Sequence, residues 1–223
     1  KSIFSGLGVG VPGTVAGLAL AHRKYGSGKF TLAQLLEPAI KLARDGFIVD
    51  GDLADTFASA RPLFQKWPSS TKVFLKPDGQ SYGQGDKLVQ TDLAHTLEVI
   101  AKNGPRAFYQ GPIAEKIATA VRGAGGVMTT ADLKNYRAVE RKPLIGRYHG
   151  YDILSMPPPS SGGTHLIEIL NILEGYDLRK KGPASPQTAH ILVEAMKRAY
   201  ADRAVYLGDP DFLAVPVRGL LDA

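Results

Sequence analysis

LIGRYHGYDILSMPPPSSGGTHLIEIL, residues 144–170, leads from two short extended segments through a loop rich in proline and glycine into an apolar run. Residues 144–148 and residues 151–155 each show alternating side chains, and only His149-Gly150 separates them. This pattern predicts a tight β-hairpin. The apolar spacing beyond the loop predicts a helix over about residues 166–173. The stretch therefore indicates a mixed α+β chain.

The loop itself offers three interpretations: a serine nucleophile, a phosphate cradle, or a structural turn. A serine nucleophile needs a base and a group that orients the base, and Ser160 and Ser161 do not lie in a G-x-S-x-G motif. The loop also lacks the lysine and the spacing of a P-loop. The structural interpretation is favoured, because residues 157–159 stiffen the chain, either serine can cap a helix, and Gly162 and Gly163 allow close backbone approach.

Helical patterns predominate in the rest of the chain. Thr31-Leu-Ala-Gln34 has the form of a capping box, and a break or kink is expected at Pro38 in the helix that follows. Residues 71–75 predict a short strand. The buried stripe expected in the capped helix, which ends at Gly46, consists of Leu32, Leu35, Leu36, Ala39, Ile40 and Ala43. Further helices are predicted over residues 13–24, 92–101, 112–121 and 189–206, with a short one after Thr129-Thr130.

Composition excludes several classes of protein and site. The 223 residues are 44% hydrophobic and 22% charged, which is typical of a folded globular chain, and no apolar run approaches the ~18 residues of a membrane span. The net charge is +6, but basic and acidic residues are interspersed, so no nucleic-acid partner is expected. Without cysteine, and with five scattered histidines, no metal or other cofactor is expected.

Charged and aromatic residues near the end of the chain have simple structural interpretations. Residues 209–211 (Asp-Pro-Asp) are expected to turn the chain after a helix rather than to bind calcium, which needs more oxygen ligands. Glu194 and Arg198, four residues apart, are expected to form a surface pair on one helix. Tyr200 and Tyr206 are expected in the core.

Five segments spread along the chain form a pattern that is more specific than any one of them. They are VPGTVAGLALAHRKYG (11–26), EPAIKLARDGFIV (37–49), NGPRAFYQGPIAEKIA (103–118), SMPPPSSGGTHLIEILNILEGYDL (155–178) and YADRAVYLGDPDF (200–212). Together they resemble the large chain of a bacterial γ-glutamyltransferase, in the family's order and over essentially the whole sequence. The resemblance identifies residues 1–223 as part of the large chain of one such domain, with no separate second domain.

The resemblance implies a fold, an activity and a location. The fold would be the helix-rich portion of a four-layer αββα N-terminal-nucleophile hydrolase. The precursor would cleave itself, and the N-terminal threonine of the small chain would take the γ-glutamyl group of glutathione or another γ-glutamyl compound and pass it to water, amino acids or peptides. A signal upstream would direct the protein to the periplasm or outside the cell. Two alternatives remain: a glutaryl-cephalosporin acylase of the same fold, and a non-catalytic scaffold or binding module.

Departures from the family pattern determine which site residues are expected. The threonine-rich start of the family's small chain is absent, and Thr129-Thr130 is interpreted as a helix cap. Arg23, Arg44 and Arg61 lie in other contexts than the family's carboxylate-binding arginine. No catalytic or substrate-binding residue is therefore expected in these 223 residues, which alone should be inactive. The loop at residues 160–163 is expected to be structural and to lie near the substrate cavity.

Overall fold

The computed structural model describes residues 4–222, which fall into two compact units with a boundary between Val139 and Glu140. We call them the N-unit and the C-unit. Helices predominate over two small antiparallel sheets, which confirms the predicted α+β class. The N-unit contains a 3-10 turn (Gly6–Gly8), α1 (Thr14–Tyr25), α2 (Leu32–Asp45), β1 (Phe47–Ile48), α3 (Gly51–Phe64), α4 (Pro68–Phe74), β2 (Lys87–Leu88), α5 (Thr91–Asn103), α6 (Arg106–Tyr109), α7 (Pro112–Gly123) and α8 (Thr130–Asn135). The C-unit contains β3 (Leu144–Tyr148), β4 (Tyr151–Ser155), α9 (Gly162–Glu174), α10 (Leu178–Lys181), α11 (Pro186–Tyr206) and α12 (Val217–Leu221).

Two helices of the N-unit start with a reciprocal capping box. The Thr31 hydroxyl accepts from the Gln34 N–H at 3.2 Å, and the Gln34 side-chain oxygen accepts from the Thr31 N–H at 2.8 Å. Thr129 and Asp132 repeat the exchange before α8, at 3.3 and 2.8 Å. Both predicted caps are confirmed, because each depends on residues only three positions apart.

Helix α2 differs from its prediction in two respects. It continues past Pro38, so of the predicted break or kink the break does not occur; the missing N–H removes one hydrogen bond, while packing against α5 supports the rest of the helix. Its buried side is also narrower than predicted. Ile40 and Ala43 are buried, whereas Leu35 and Ala39 are exposed. One neighbouring helix covers only part of the apolar stripe.

Residues 71–75 do not form the predicted strand. Most of them belong to α4, where the ring of Phe74 stacks on that of Phe64 with centroids 5.0 Å apart. Of these residues, only Leu75 takes part in β pairing, through an isolated bridge to Ser81. Tertiary packing of the aromatic side chains therefore overrides the local β preference.

The C-unit begins with the predicted hairpin. Strands β3 and β4 pair in the antiparallel register from Leu144 opposite Ser155 to the turn at His149-Gly150, where both residues have positive φ. Helix α9 packs on this hairpin. A β-carbon at Gly146 would lie 2.5 Å from the Ile167 side chain, which is almost fully buried. The missing side chain in β3 thus makes room for the central residue of the α9 interface.

Helix α11 packs on α9, and its buried residues are small. They are Thr188, Ala195 and Ala199, whereas Tyr200 and Tyr206 are more than two-fifths exposed. The prediction that both tyrosines lie in the core is wrong, because small side chains make up the buried residues of α11.

Surface ion pairs of the C-unit also differ in detail from the prediction. Glu194 pairs with Lys197 at 2.8 Å instead of with Arg198. The turn after α11 is as expected: Asp209 accepts from the Asp211 N–H at 3.0 Å, and Asp211 pairs with Arg141 at 2.8 Å. Among residues 4–222, no helix has the length and apolarity needed to cross a membrane.

Candidate functional site

The loop between β4 and α9 brings the end of a strand against the start of a helix. A β-carbon added to Gly163 would overlap the backbone carbonyl of Met156, the residue that follows β4. Gly162 has much more room, since its nearest neighbour would be the Ser160 hydroxyl at 3.5 Å. The close approach expected of both glycines therefore occurs at Gly163 and not at Gly162.

The two loop serines have different partners. Ser160 accepts a hydrogen bond from the Gly162 N–H at 3.3 Å, so it satisfies a donor at the helix start. Ser161 occupies the N-cap position with helical dihedral angles, and its side chain makes no capping hydrogen bond. Its hydroxyl accepts instead from Arg203 Nε of α11 at 3.3 Å. Ser161 thus contributes a contact between two helices.

Three buried polar residues lie on the first turns of α9, and we call them the α9 polar cluster. They are Thr164, His165 and Glu168, each less than a tenth exposed. Among residues 4–222, their Oγ1, Nε2 and Oε2 atoms, respectively, have no hydrogen-bond partner. Buried polar atoms in folded proteins nearly always have a protein or water partner. Three unpartnered atoms on one helix start therefore mark this position as a candidate site.

Residues of α11 determine the electrostatics of this cluster. Burial and the neighbouring Asp202 carboxyl raise the pKa of Glu168 from 4.5 to about 7. Burial, helped by the positive charge of Arg203, lowers the pKa of His165 below 6.5. The ring centroid of Tyr200 lies 5.2 Å from the centroid of the His165 imidazole. Both ionisable groups of the cluster are thus biased towards their neutral forms.

The cluster can exchange a proton near neutral pH, but its geometry does not form a nucleophile and base pair. The Ser161 hydroxyl accepts a hydrogen bond from Arg203 Nε. The hydrogen bond between Ser161 and His165 runs from the His165 backbone N–H to the Ser161 carbonyl oxygen, at 3.0 Å, and does not involve the hydroxyl. Activation of a hydroxyl requires a hydrogen bond from the nucleophile to the base. Within the described part of the chain, no group of three or more potential metal ligands is present either.

Arg23, Arg44 and Arg61 each have different surroundings. Arg44 pairs with Glu98 at 3.2 Å, Arg61 donates to the Gln80 side chain at 3.1 Å, and Arg23 lines a cleft of the N-unit. None of these contacts indicates a carboxylate clamp.

Sequence reasoning missed the α9 polar cluster. One signal was available: His165 and Glu168 are three residues apart in an apolar helical run, so both project from the same side. Polar side chains at that spacing amid leucine and isoleucine indicate a buried polar site. The role of Asp202 could not be inferred, because it depends on how α11 packs on α9.

Comparison with known proteins identifies the family. A profile of the gamma-glutamyltranspeptidase family matches residues 1–223. The chain belongs to the gamma-glutamyltranspeptidase family. It is 50% identical over 221 residues to the glutathione hydrolase proenzyme of Escherichia coli strain K12, covering 99% of this chain and 38% of that protein. It superposes on the crystal structure of Helicobacter pylori gamma-glutamyltranspeptidase with a TM-score of 0.93 at 48% identity, covering 99% of this chain and 63% of the other.

A related acylase is also similar to this chain. The Acylase ACY 1 proenzyme of Pseudomonas sp. strain V22 is 40% identical, and the match covers 100% of this chain and 39% of that protein. The chain thus spans about two-fifths of the length of these curated relatives.

Proposed function

We propose that this chain is part of the large chain of a γ-glutamyltransferase, which cleaves the γ-glutamyl bond of glutathione and transfers the γ-glutamyl group to water, amino acids or peptides. The observation that carries the proposal is the 50% identity to a glutathione hydrolase proenzyme over 99% of the chain. The TM-score of 0.93 to a gamma-glutamyltranspeptidase structure supports it.

The proposed chemistry needs a second chain of the same precursor. An N-terminal threonine on that small chain attacks the γ-glutamyl carbonyl, with its α-amine taking the hydroxyl proton; the amide C–N bond then breaks, the amine leaves with that proton, and an acyl-threonine intermediate remains. Water or an amine acceptor then releases the acyl group. The word proenzyme in the names of the relatives supports a processed precursor. In this scheme the present chain supplies structure rather than the reacting groups.

The loop at residues 160–163 and the α9 polar cluster are our proposed contact region with the rest of the protein, near the substrate cavity. The support is physical: Thr164, His165 and Glu168 each carry a buried polar atom without a partner among the described residues. A segment that packs there and supplies hydrogen bonds would satisfy these atoms. We further propose that the complete protein forms one four-layer αββα domain.

Export to the periplasm or the medium is part of the same proposal, by analogy with the family resemblance. Fractionation of producing cells tests it, since an exclusively cytoplasmic protein would contradict export.

Activity assays on the complete gene product test the proposed function. We expect it to release chromophore from a γ-glutamyl anilide, glutathione to compete, and an acceptor dipeptide to raise the rate. Residues 1–223 alone are expected to be inactive, and replacing the first threonine of the small chain should abolish turnover. Absence of γ-glutamyl cleavage by a correctly processed product would overturn the proposal.

The second candidate is a glutaryl-cephalosporin acylase, favoured by the 40% identity to an acylase proenzyme. A parallel assay with a glutaryl anilide separates the two, because a side-chain pocket that selects glutaryl lacks a partner for the γ-glutamyl α-amine. If neither anilide is cleaved, a non-catalytic scaffold or binding module becomes the better description.

A further inference from the structure

The N-unit contains a cleft of about 370 Å³ whose charged lining residues all carry positive charge. Helix α1 supplies Arg23, α6 supplies Arg106, α8 supplies Lys134, and Arg137 follows α8. Among the described residues, no aspartate or glutamate lines this basic cleft. Four side chains from separate elements therefore converge on one concavity without an acidic residue between them.

These four cations are not neutralised within the described part of the chain, where none of them forms an ion pair with a carboxylate. Elsewhere in the N-unit, basic side chains form ion pairs with carboxylates: Lys72 pairs with Asp92 at 3.1 Å, and Arg44 pairs with Glu98. Unpaired like charges around a concave surface repel one another and focus a positive potential into it. An anion that enters the cleft relieves this repulsion.

The walls of the basic cleft are held in place by hydrogen bonds. Tyr109 donates its hydroxyl to the Pro12 carbonyl at 2.7 Å and accepts from the Ala16 N–H at 3.0 Å. Its ring stacks on Tyr136, with centroids 5.7 Å apart and an interplanar angle of 16°. The aromatic wall therefore has a fixed position before any ligand binds.

One cationic group is also oriented in advance. Arg137 Nη1 donates to the carbonyl oxygens of Lys134 and Tyr136, at 2.9 and 2.7 Å. Within residues 4–222 its Nε and Nη2 have no hydrogen-bond acceptor and remain as donors in a fixed plane, and a planar guanidinium presents such donors to a carboxylate or a phosphate. Fixing the group beforehand reduces the entropy lost when a ligand binds.

We propose that the basic cleft binds a small organic anion carrying at least two carboxylate or phosphate groups. The volume lies within the range of small-molecule sites, about 300–1,000 Å³. Four positive side chains exceed what one anionic group needs, so the ligand carries more than one. Carboxylates and phosphates share the oxygen geometry that arginine recognises. This site is not required by the proposed acyl transfer and does not depend on it.

Isothermal titration calorimetry on the complete gene product at low salt tests the proposal, with citrate and pyrophosphate as separate probes. We expect saturable binding of at least one probe, weakened by sodium chloride because the attraction is electrostatic. Binding of citrate alone assigns carboxylate ligands, binding of pyrophosphate alone assigns phosphate ligands, and binding of both assigns recognition of charge shared by the two.

Variants locate the binding in the cleft. The double variant R106Q/R137Q should raise the dissociation constant by about tenfold or more, because charge-assisted hydrogen bonds are lost. Arg122→Gln, on α7 and outside the cleft lining, is the matched control and should bind as the unmodified protein does. If the double variant does not fold, Lys134→Gln provides the same comparison. Absence of binding by both probes, or equal loss in Arg122→Gln, would overturn the proposal.

Discussion

The helices α2 and α9 begin in physically different ways. Before α2, Thr31 has extended backbone angles and its side chain bonds to the N–H of Gln34, so local hydrogen bonds define the start. Before α9, Ser161 already has helical angles and makes no capping bond. The start of α9 is defined instead by Gly163 against the Met156 backbone and by contacts from α11.

The difference separates local from tertiary control of a helix start. A capping box stabilises α2 whatever else packs around it, and its loss is a limited local cost. The α9 start carries buried polar groups that depend on other parts of the protein, among them Glu168 beside Asp202. Substitutions of Gly163 and Glu168 in α9 should therefore have larger effects than loss of the α2 cap, and the effect at Glu168 should depend on pH.

The largest expected effect comes from the loop glycines. Gly163→Ala should destabilise the protein by about 3 kcal/mol, because the new methyl group overlaps the Met156 carbonyl and backbone atoms cannot turn aside as a side chain can. Gly162→Ala is the matched control. Its β-carbon lies 3.5 Å from the nearest neighbour, an ordinary contact, so it should change stability by less than about 1 kcal/mol.

Urea unfolding of both variants in the complete gene product measures the difference, together with the yield of processed protein. Equal stability of the two variants would mean that the backbone at Met156 and the backbone at Gly163 can move apart without loss of folding free energy. The close approach at Gly163 would then not control the start of α9.

The second effect concerns pH and Glu168. In the folded protein its pKa is about 7, above the ordinary 4.5, so the folded state binds more protons between these values. Stability from the neutral carboxyl is complete below about pH 4.5 and is lost as pH rises through 7. The rise from 4.5 to 7, at 1.36 kcal/mol per pH unit, sets an upper limit of about 3 kcal/mol.

Replacement by glutamine removes this titration. The stability of Glu168→Gln relative to the unmodified protein should increase between pH 5 and pH 7.5, which thermal unfolding at a series of pH values measures. His165 acts in the opposite sense: its lowered pKa gives stability that is present above 6.5 and lost as pH falls. The exposed Glu37→Gln on α2 is the control. The same pH slope in Glu168→Gln as in the unmodified protein would contradict the assignment.

The distinction between local and tertiary control also explains which regions could be predicted from the sequence. The caps at Thr31 and Thr129 and the turn at His149-Gly150 depend on residues close in sequence, and the structure confirms them. The helix at residues 68–74 and the early start of α9 depend on packing partners elsewhere, and local preferences predicted neither. The candidate site could not be predicted from the sequence for the same reason, because the pKa of Glu168 is raised by burial and by a residue on another helix.

The smallest effect compares the two N-cap residues directly. Thr31→Ala should cost about 1 kcal/mol, since the Gln34 N–H loses its acceptor. Ser161→Ala removes only a bond from the exposed Arg203 and no cap, so a change within about 0.5 kcal/mol is expected. Urea unfolding midpoints of the two variants decide the order. A larger loss in Ser161→Ala would show that the bond between α9 and α11 outweighs a capping box, and tertiary contacts would then control even the residue at the N-cap.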